Sequence, residues 1–222
     1  MHNSRFHSTI AFLLFDDLEE LDFVGPYEMF SIWSKIANGP NNIITISENP
    51  IVRCSKGLKI ITDYGFDNCP QEIDYLLVPG GKGTRTQINN KKFLDFLGNA
   101  QSKLKCKYIL SVCTGSFLLQ KAGLLKDGMK ATTHWASLNR LRKFKDIKVV
   151  EKRVVRNDKE RIWTSSGVSS GIDLALEFIA FIDGDDVAGK IQFWSEYFPF
   201  NKRYGNISTQ HPQSPQYLKS NL

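Results

Sequence analysis

The stretch that most constrains the fold is residues 107–123, which read KYILSVCTGSFLLQKAG. Its first part is an apolar run that ends at Val112 and predicts a buried β-strand. Apolar residues then recur at helical spacing until Gly123, which supplies a stop signal for a helix. Because so few residues separate the two patterns, the chain must turn sharply between strand and helix. Cys113 lies at that corner.

This strand, turn and helix have the geometry of a nucleophile elbow, which presents the corner side chain outward. A thiol at the corner lies beside the N-terminus of the following helix, which favours the thiolate. The first N–H groups of the helix can also receive negative charge that develops on a substrate. The alternative is a free cysteine that packs as a small hydrophobe at a strand end. The local sequence leaves both interpretations open.

The 222-residue chain is long enough for one medium-sized domain with a full core. Its four cysteines lack Cys-x-x-Cys spacing, which argues against a zinc site or a dithiol redox motif. An apolar run at residues 10–15 passes directly into acidic residues, unlike a signal peptide or a membrane span. We therefore expect a cytoplasmic protein with no membrane partner.

The net charge of +6 raises the question of nucleic-acid binding. Residues 138–161 hold ten basic and four acidic side chains, so this stretch alone supplies the excess and the remainder is neutral. Its charges alternate with apolar residues, as on a solvated outer face. We therefore expect no nucleic-acid partner.

Strand patterns alternate with helix patterns along the chain, which indicates an α/β fold with a mostly parallel sheet covered on both faces. A hairpin is expected near the end of this series, with its turn at Asn157-Asp158. The expected strands are residues 9–15, 42–47, two short strands within 51–65, 74–78, 107–112, 130–135, 147–156 and 161–165. The expected helices are residues 26–36, 93–97, 117–122, 137–144, 171–182 and 186–197.

Three of these strands lead directly into residues that can do chemistry. Acidic residues follow the strand at 9–15, Gly80 and Gly81 follow the strand at 74–78, and Cys113 follows the strand at 107–112. Sites of open parallel sheets lie outside the carboxyl ends of the strands. If the three strands are neighbours, a carboxylate, a glycine turn and a thiol converge on one crevice.

Five segments then carry a resemblance to a known family. The segments are residues 21–26 (LDFVGP), 78–81 (VPGG), 111–115 (SVCTG), 131–135 (ATTHW) and 164–173 (TSSGVSSGID). Together they resemble the ThiJ/PfpI superfamily, and the resemblance spans nearly the whole chain. It implies a flavodoxin-like three-layer sandwich with a nucleophile elbow. The combination is most similar to the isonitrile hydratases and to the ligand-sensing halves of AraC-type regulators.

The resemblance also implies roles for individual residues. Cys113 would be the nucleophile, Asp22 the catalytic carboxylate, and Thr114 a donor of both a hydroxyl and a backbone N–H. No metal and no organic cofactor are implied. The residues expected to bind the oxyanion or the substrate are Gly80, Gly81, Thr114 and His134.

Structural alternatives exist for several of these residues. Asp22 could cap a helix, but Pro26 is expected at the first helical position, which places the cap nearer Gly25. Thr114 could be a simple N-cap, and His134 could be a hydrogen-bonded packing residue.

The chain departs from the family pattern at two places. Many peptidase-like members carry Cys-His at the elbow, whereas this chain has Cys113-Thr114, which argues against an amidase or a peptidase. The hydratase branch carries Glu-Tyr-Asp-Pro near its C-terminus, whereas residues 196–200 read EYFPF. The carboxylate of that element is missing, so closure of the pocket or choice of substrate is expected to differ.

The resemblance implies a cysteine-dependent lyase that hydrates a small-molecule isonitrile to an N-substituted formamide. Two alternatives remain: a ligand-sensing protein without a DNA-binding domain, and a redox or carbonyl-stress protein whose Cys113 is oxidised. We expect one α/β domain over residues 1–205 and a flexible tail over residues 206–222. A homodimer is expected because dimers are common in the superfamily.

Overall fold

The computed structural model describes residues 8–126, 128–199 and 211–219. The strands in this part of the chain are β1 (Thr9–Leu13), β2 (Asn42–Ile46), β3 (Ile51–Arg53), β4 (Lys59–Ile61), β5 (Tyr75–Val78), β6 (Tyr108–Ser111), β7 (Met129–Ala131), β8 (Ile147–Val149), β9 (Val154–Asn157) and β10 (Ile162–Ser165). The helices are α1 (Glu20–Ile36), α2 (Thr84–Gln87), α3 (Lys91–Gly98), α4 (Gly115–Lys121), α5 (Leu138–Leu141), α6 (Ser170–Asp183), α7 (Asp185–Trp194) and α8 (Gln216–Lys219).

Within the described residues, six strands form the main sheet in the order β2-β1-β5-β6-β10-β9. All neighbouring pairs are parallel except β10 with β9, which form the hairpin predicted around Asn157-Asp158. The two short strands expected within residues 51–65 are the antiparallel pair of β3 and β4. The α/β fold with a mostly parallel sheet is therefore confirmed.

The strand expected over residues 130–135 ends at Ala131, and the strand expected over residues 147–156 is interrupted. The sequence predicts a single strand over residues 147–156, but the structure divides it into β8 and β9. The exposed residues Glu151 and Lys152 lie between them, and β8 pairs in parallel with β7 in a separate two-stranded sheet. The break follows because residues 150–153 include no buried side chain that would hold this stretch in register with a neighbouring strand.

Helices cover both faces of the main sheet. Every residue of β1 and β5 is buried. Because successive side chains of a strand point to opposite faces, this requires a layer on each side. Helices α1, α6 and α7 pack together, and helices α2, α3 and α4 form a second packed group. The result is the expected flavodoxin-like three-layer sandwich.

The first helix does not begin where the sequence predicts. Gly25-Pro26 indicates a helix start, but α1 begins at Glu20 and holds Pro26 in its interior. Pro26 has no N–H to donate to the carbonyl of Asp22 four residues earlier, which weakens the helix locally. Close packing offsets this loss, because a β-carbon on Gly25 would lie only 2.9 Å from Cγ1 of Ile172 on α6. Asp22 consequently lies in the first turn of α1.

The topology brings four strand ends together. Strands β1, β5, β6 and β10 are adjacent and parallel, so their carboxyl ends meet at one edge of the sheet. The predicted convergence of the first three is confirmed, and the end of β10 joins them. In the described part of the chain, none of the helices combines the length and the apolar character needed to cross a membrane.

Candidate active site

Cys113 forms a sharp corner between β6 and α4. Its φ of 56° lies in the left-handed region, which is strained for a residue other than glycine. Its N–H donates to the carbonyls of Ser165 and Ser166 at 3.1 and 3.0 Å. The hydroxyl of Thr133 donates to the carbonyl of Cys113 at 2.9 Å. These bonds hold the elbow that residues 107–123 predict.

Asp22 is a fully buried carboxyl that faces this elbow. Its Oδ2 accepts a hydrogen bond from the Gly80 N–H at 3.0 Å, and it also interacts with the Cys113 thiol. Its other oxygen, Oδ1, is buried and has no hydrogen-bond partner among the described residues. Burial raises the pKa of Asp22 from 3.8 to about 8, and the Gly80 N–H opposes that rise. At neutral pH the carboxyl therefore carries a proton that it can donate.

The pKa of Cys113 differs from what the elbow position alone predicts. The helix N-terminus favours the thiolate, but burial and the charge of Asp22 raise the pKa of the thiol well above 9.0. The N–H and the hydroxyl of Thr114 lower it only in part. Because each anion disfavours the other, the two groups carry at most one negative charge near neutral pH.

Thr114 links the elbow to the loop after β5. Its Oγ1 accepts the Gly81 N–H at 2.9 Å, and its side chain makes no N-cap hydrogen bond to α4. A β-carbon on Gly80 would lie 2.5 Å from the Thr114 nitrogen and 2.9 Å from Oδ2 of Asp22, so only glycine permits this approach. In this structure both glycine N–H groups orient side chains of the site. Their expected contact with an oxyanion stays a prediction.

His134 is half-buried, and its ring lies close to Gly167 beside the Cys113 thiol. Its Nδ1 accepts the Ala136 N–H at 3.3 Å, so in the neutral ring the proton is on Nε2. Burial lowers the pKa of His134, which favours that neutral form. Gly167 separates the ring from the elbow, since a β-carbon there would lie 2.6 Å from Cδ2 of His134 and 2.9 Å from Sγ of Cys113.

An open cavity of about 180 Å³ reaches the thiol from solvent. The sequence predicts part of its wall, namely Gly81, Cys113, Thr114 and His134, but not the remainder. Gly167 and Val168 follow β10, which lies next to β6. Their position directly after a strand could therefore have indicated that they lie near the site. The lining residues that the sequence analysis did not single out are Glu19, Lys82, Thr84, Arg85, Ser137, Arg140 and Val168.

Arg140 corrects the interpretation of the basic stretch. The sequence analysis assigns residues 138–161 to a solvated face, but Arg140 is half-buried and lines the cavity. Its guanidinium carbon lies 4.0 Å from the centre of the Phe117 ring, which draws it inward from α5. The direction of a single long side chain cannot be read from the charge pattern of a segment.

Other titratable residues have structural partners away from the cavity. Asp173 pairs with Arg153 through a hydrogen bond of 2.6 Å and accepts the Tyr197 hydroxyl at 3.2 Å. Burial raises the pKa of Cys54 to about 11 and that of Cys106 to about 12. In the described residues, no group of three or more His, Cys, Asp and Glu side chains is arranged to hold a metal ion.

The C-terminal segments lie only partly within the described residues. Phe198 is exposed, whereas Phe200 lies outside the described residues, as do residues 206–210 and 220–222 of the expected flexible tail. Residues 211–219 include α8, and the ring of His211 packs edge-on against Trp135 with centroids 4.7 Å apart. The flexibility of the tail stays a prediction.

Gly167→Ala is expected to slow alkylation of Cys113 by iodoacetamide and to destabilise the fold by about 1–3 kcal/mol, because the new methyl group overlaps the thiol and His134. Alkylation followed by peptide mass spectrometry and urea unfolding measure the two effects. Gly189→Ala on α7 is the matched control, because its methyl group meets open space. If Cys113 of the Gly167→Ala variant is alkylated at the wild-type rate, the residues around Gly167 can move to accommodate the added methyl group.

Comparison with known proteins identifies the family. The profile of the DJ-1/PfpI family matches residues 8–181 of the chain. The chain belongs to this family. The chain is similar to the crystal structure of a ThiJ/PfpI family protein from Pseudomonas syringae, with a TM-score of 0.81 and 30% sequence identity. The match covers 99% of this chain and 86% of the Pseudomonas syringae protein.

Two curated relatives extend the comparison of this DJ-1/PfpI member. The isonitrile hydratase of Pseudomonas putida is 35% identical over 192 residues, which is 86% of this chain and 78% of the relative. The HTH-type transcriptional regulator GbdR of Pseudomonas aeruginosa is 32% identical over 151 residues. That match covers 68% of this chain but only 39% of the regulator. The resemblance predicted from the five sequence segments is therefore confirmed at the level of the family.

Proposed function

We propose that the protein hydrates small isonitriles to N-substituted formamides, with Cys113 as nucleophile and Asp22 as proton donor and acceptor. The observation that carries the proposal is the interaction of the buried Asp22 carboxyl with the thiol of Cys113, which lines an open cavity. An isonitrile carbon needs both a nucleophile and a proton, and this contact offers both. Similarity to an isonitrile hydratase supports the choice of substrate.

When the pair has lost one proton, that proton comes mainly from Asp22, because its pKa is lower than that of Cys113. The reactive state is the minor arrangement of the same pair, with the remaining proton on Asp22 and the negative charge on Cys113. The thiolate attacks the terminal carbon of the isonitrile, forming a carbon–sulfur bond, while Asp22 delivers its proton to the same carbon. The product is a thioimidate on Cys113 beside an ionised Asp22. The N–H and the hydroxyl of Thr114, which contact the sulfur, stabilise the thiolate before attack.

Water completes the reaction without any other reactant. Asp22 takes one proton from the water as its oxygen adds to the thioimidate carbon, and passes that proton to the nitrogen. The tetrahedral adduct collapses, breaks the carbon–sulfur bond and returns its hydroxyl proton to Asp22. The formamide leaves, and both groups return to their starting state. No metal or organic cofactor enters the proposal.

The test is turnover of cyclohexyl isocyanide by the purified protein, with the formamide followed by chromatography at pH 8. Near that pH the pair loses its first proton, so we expect formamide production well above the rate without protein. Cys69→Ala is a suitable control because Cys69 is half-buried and outside the cavity. Formamide production no faster than in buffer would contradict the proposal.

Ligand sensing is the second candidate, and the similarity to GbdR favours it. A sensor would bind a small molecule at the same cavity without turning it over. Binding detected by calorimetry, with no product after long incubation, would distinguish a sensor from a hydratase.

Several further expectations stay predictions. They are the homodimer, the cytoplasmic location, the absence of a nucleic-acid partner and the boundary between a domain at residues 1–205 and a tail at residues 206–222. The redox alternative also stays open, because oxidation of Cys113 would use the same buried carboxyl as a partner.

A further inference from the structure

Two arginines line the cavity of Cys113 and have no acidic partner among the described residues. Arg85, at the start of α2, and Arg140, on α5, both line it. Among the described residues, neither guanidinium has a carboxylate within ion-pair distance. By contrast, Arg142 and Arg153 each pair with an acidic side chain. In the part of the chain that the structure describes, no carboxylate therefore occupies the guanidinium donors of these two arginines.

The position of Arg140 is costly without a partner. It is half-buried over the Phe117 ring, and both burial and the nearby charge of Arg85 lower its pKa. The same guanidinium senses the charge of Cys113, which raises its pKa. Two like charges held together beside a thiol are stabilised by an anion that binds between them.

The remaining charges of the cavity do not neutralise this pair. The carboxylate of Glu19 lines the cavity but forms an ion pair with Lys56. Asp22 stays protonated below about pH 8. Lys82 adds an exposed positive charge at the same opening. The mouth of the cavity is therefore positively charged.

Small ligands fit this space best. The cavity of about 180 Å³ is smaller than the roughly 300–1,000 Å³ of pockets that bind drug-sized molecules. A compact substrate that reaches the thiol would place any second group near the two arginines. Bidentate hydrogen bonds from guanidinium groups recognise carboxylate and phosphate oxygens alike.

We propose that Arg85 and Arg140 bind an anionic group of the substrate, so that this enzyme prefers small isonitriles carrying a carboxylate or phosphate to neutral ones. The substrate class rests on the proposed function, whereas the anion site itself does not. Two separate experiments therefore test the two claims.

The first experiment measures the anion site through Cys113 alone. Iodoacetate and iodoacetamide both lose iodide as the thiolate forms a carbon–sulfur bond, and they differ mainly in charge. We compare their rates at Cys113 by peptide mass spectrometry and divide the ratio by that of free cysteine. The normalised preference for iodoacetate is expected to fall about tenfold in Arg85→Gln and in Arg140→Gln, because each removes charged hydrogen bonds. It should also fall as salt is added.

Arg142→Gln is the matched control. It removes the same charge immediately after α5, but Arg142 pairs with Glu151 and does not line the cavity. We expect it to keep the wild-type preference. Since Arg85 is exposed, its variant should fold even if the half-buried Arg140 variant does not. A wild-type protein with no preference for iodoacetate, or equal preference in Arg85→Gln, would overturn the anion site.

The second experiment compares turnover of isocyanoacetate with that of its methyl ester. We expect a higher kcat/KM for the acid, and a ratio of acid to ester that falls about tenfold in Arg85→Gln. Turnover of the ester with no preference for the acid would refute the substrate class and leave the hydratase intact. If the protein turns over none of isocyanoacetate, its methyl ester and cyclohexyl isocyanide, the hydratase activity is refuted. The alkylation ratio then still decides whether the anion site exists.

Protection distinguishes the two anionic groups. Acetate and inorganic phosphate are each added at matched ionic strength while iodoacetamide alkylates Cys113. Slower alkylation with acetate alone indicates a carboxylate, and slower alkylation with phosphate alone indicates a phosphate. Protection by neither ion would count against the proposal.

Discussion

Cys113→Ala is expected to lower formamide production at least about 10³-fold, because no other group in the cavity can form the carbon–sulfur bond. Asp22 would remain as a general base for direct attack of water, so a small residual rate is expected. The measurement is kcat/KM for cyclohexyl isocyanide, with circular dichroism to establish that the variant folds. Removing the side chain also leaves a small cavity, which costs little at a position with so small a side chain.

Cys113→Ser separates shape from reactivity in the same position. Its hydroxyl fits the strained corner with φ near 56° as the thiol does, but it ionises far less readily. We expect a loss of turnover close to that of the alanine variant. Cys106→Ala is the control for a general effect of losing a buried cysteine, since Cys106 lies away from the cavity. Equal turnover in wild type and Cys113→Ala would refute covalent catalysis.

The elbow could be predicted from the sequence because its cause is local. The change from strand to helix pattern lies within residues 107–123, and a single residue must make the corner. The neighbouring strand ends could also be predicted, since alternating strands and helices give a parallel sheet with its carboxyl ends together. The structural features that depend on residues within a single segment could therefore be predicted.

The parts that could not be predicted depend on contacts between segments. The start of α1 at Glu20 depends on Gly25 packing against Ile172 of α6, which outweighs the usual effect of Pro26. The inward direction of Arg140 depends on the Phe117 ring of another helix. Neither partner is close in sequence, so pattern alone assigned Pro26 to a helix start and Arg140 to a solvated face.

The electrostatics of the site could not be predicted for the same reason. Its pKa values are set by burial, and the burial of Asp22 is complete only because the ends of β1, β5 and β6 meet around it. The electrostatic effect of a helix N-terminus is limited to the first turn of the helix. Loss of contact with water, by contrast, destabilises the whole ionised group. Burial therefore outweighs the helix N-terminus in the pKa of Cys113.

Asp22→Asn is expected to make the protein more stable than wild type at pH 9 but not at pH 4. The carboxyl has a pKa of about 8 when folded and about 3.8 when unfolded. Below pH 3.8 both states hold the proton. As the pH rises toward 8 only the folded state keeps it, so the unfolded chain is progressively favoured and wild-type stability falls. Asparagine does not ionise, so the variant escapes this loss.

The size of the effect follows from the same shift. Each unit between the two pKa values is worth about 1.4 kcal/mol, so the difference between variant and wild type should change by a few kcal/mol across this range. At pH 4 the variant should be equal or slightly weaker, because its amide NH₂ gains donors that lack partners. Urea unfolding at closely spaced pH values measures the curve.

The Cys113→Ala background makes this prediction specific to Asp22. It removes the titration of the thiol, and the burial that raises the pKa of Asp22 remains. All other ionisable groups are shared by the two chains and cancel in the difference. A constant difference from pH 4 to pH 9 would mean that Asp22 has an ordinary pKa in the folded protein. It would then be ionised at neutral pH and could not donate the proton that the hydration of an isonitrile requires.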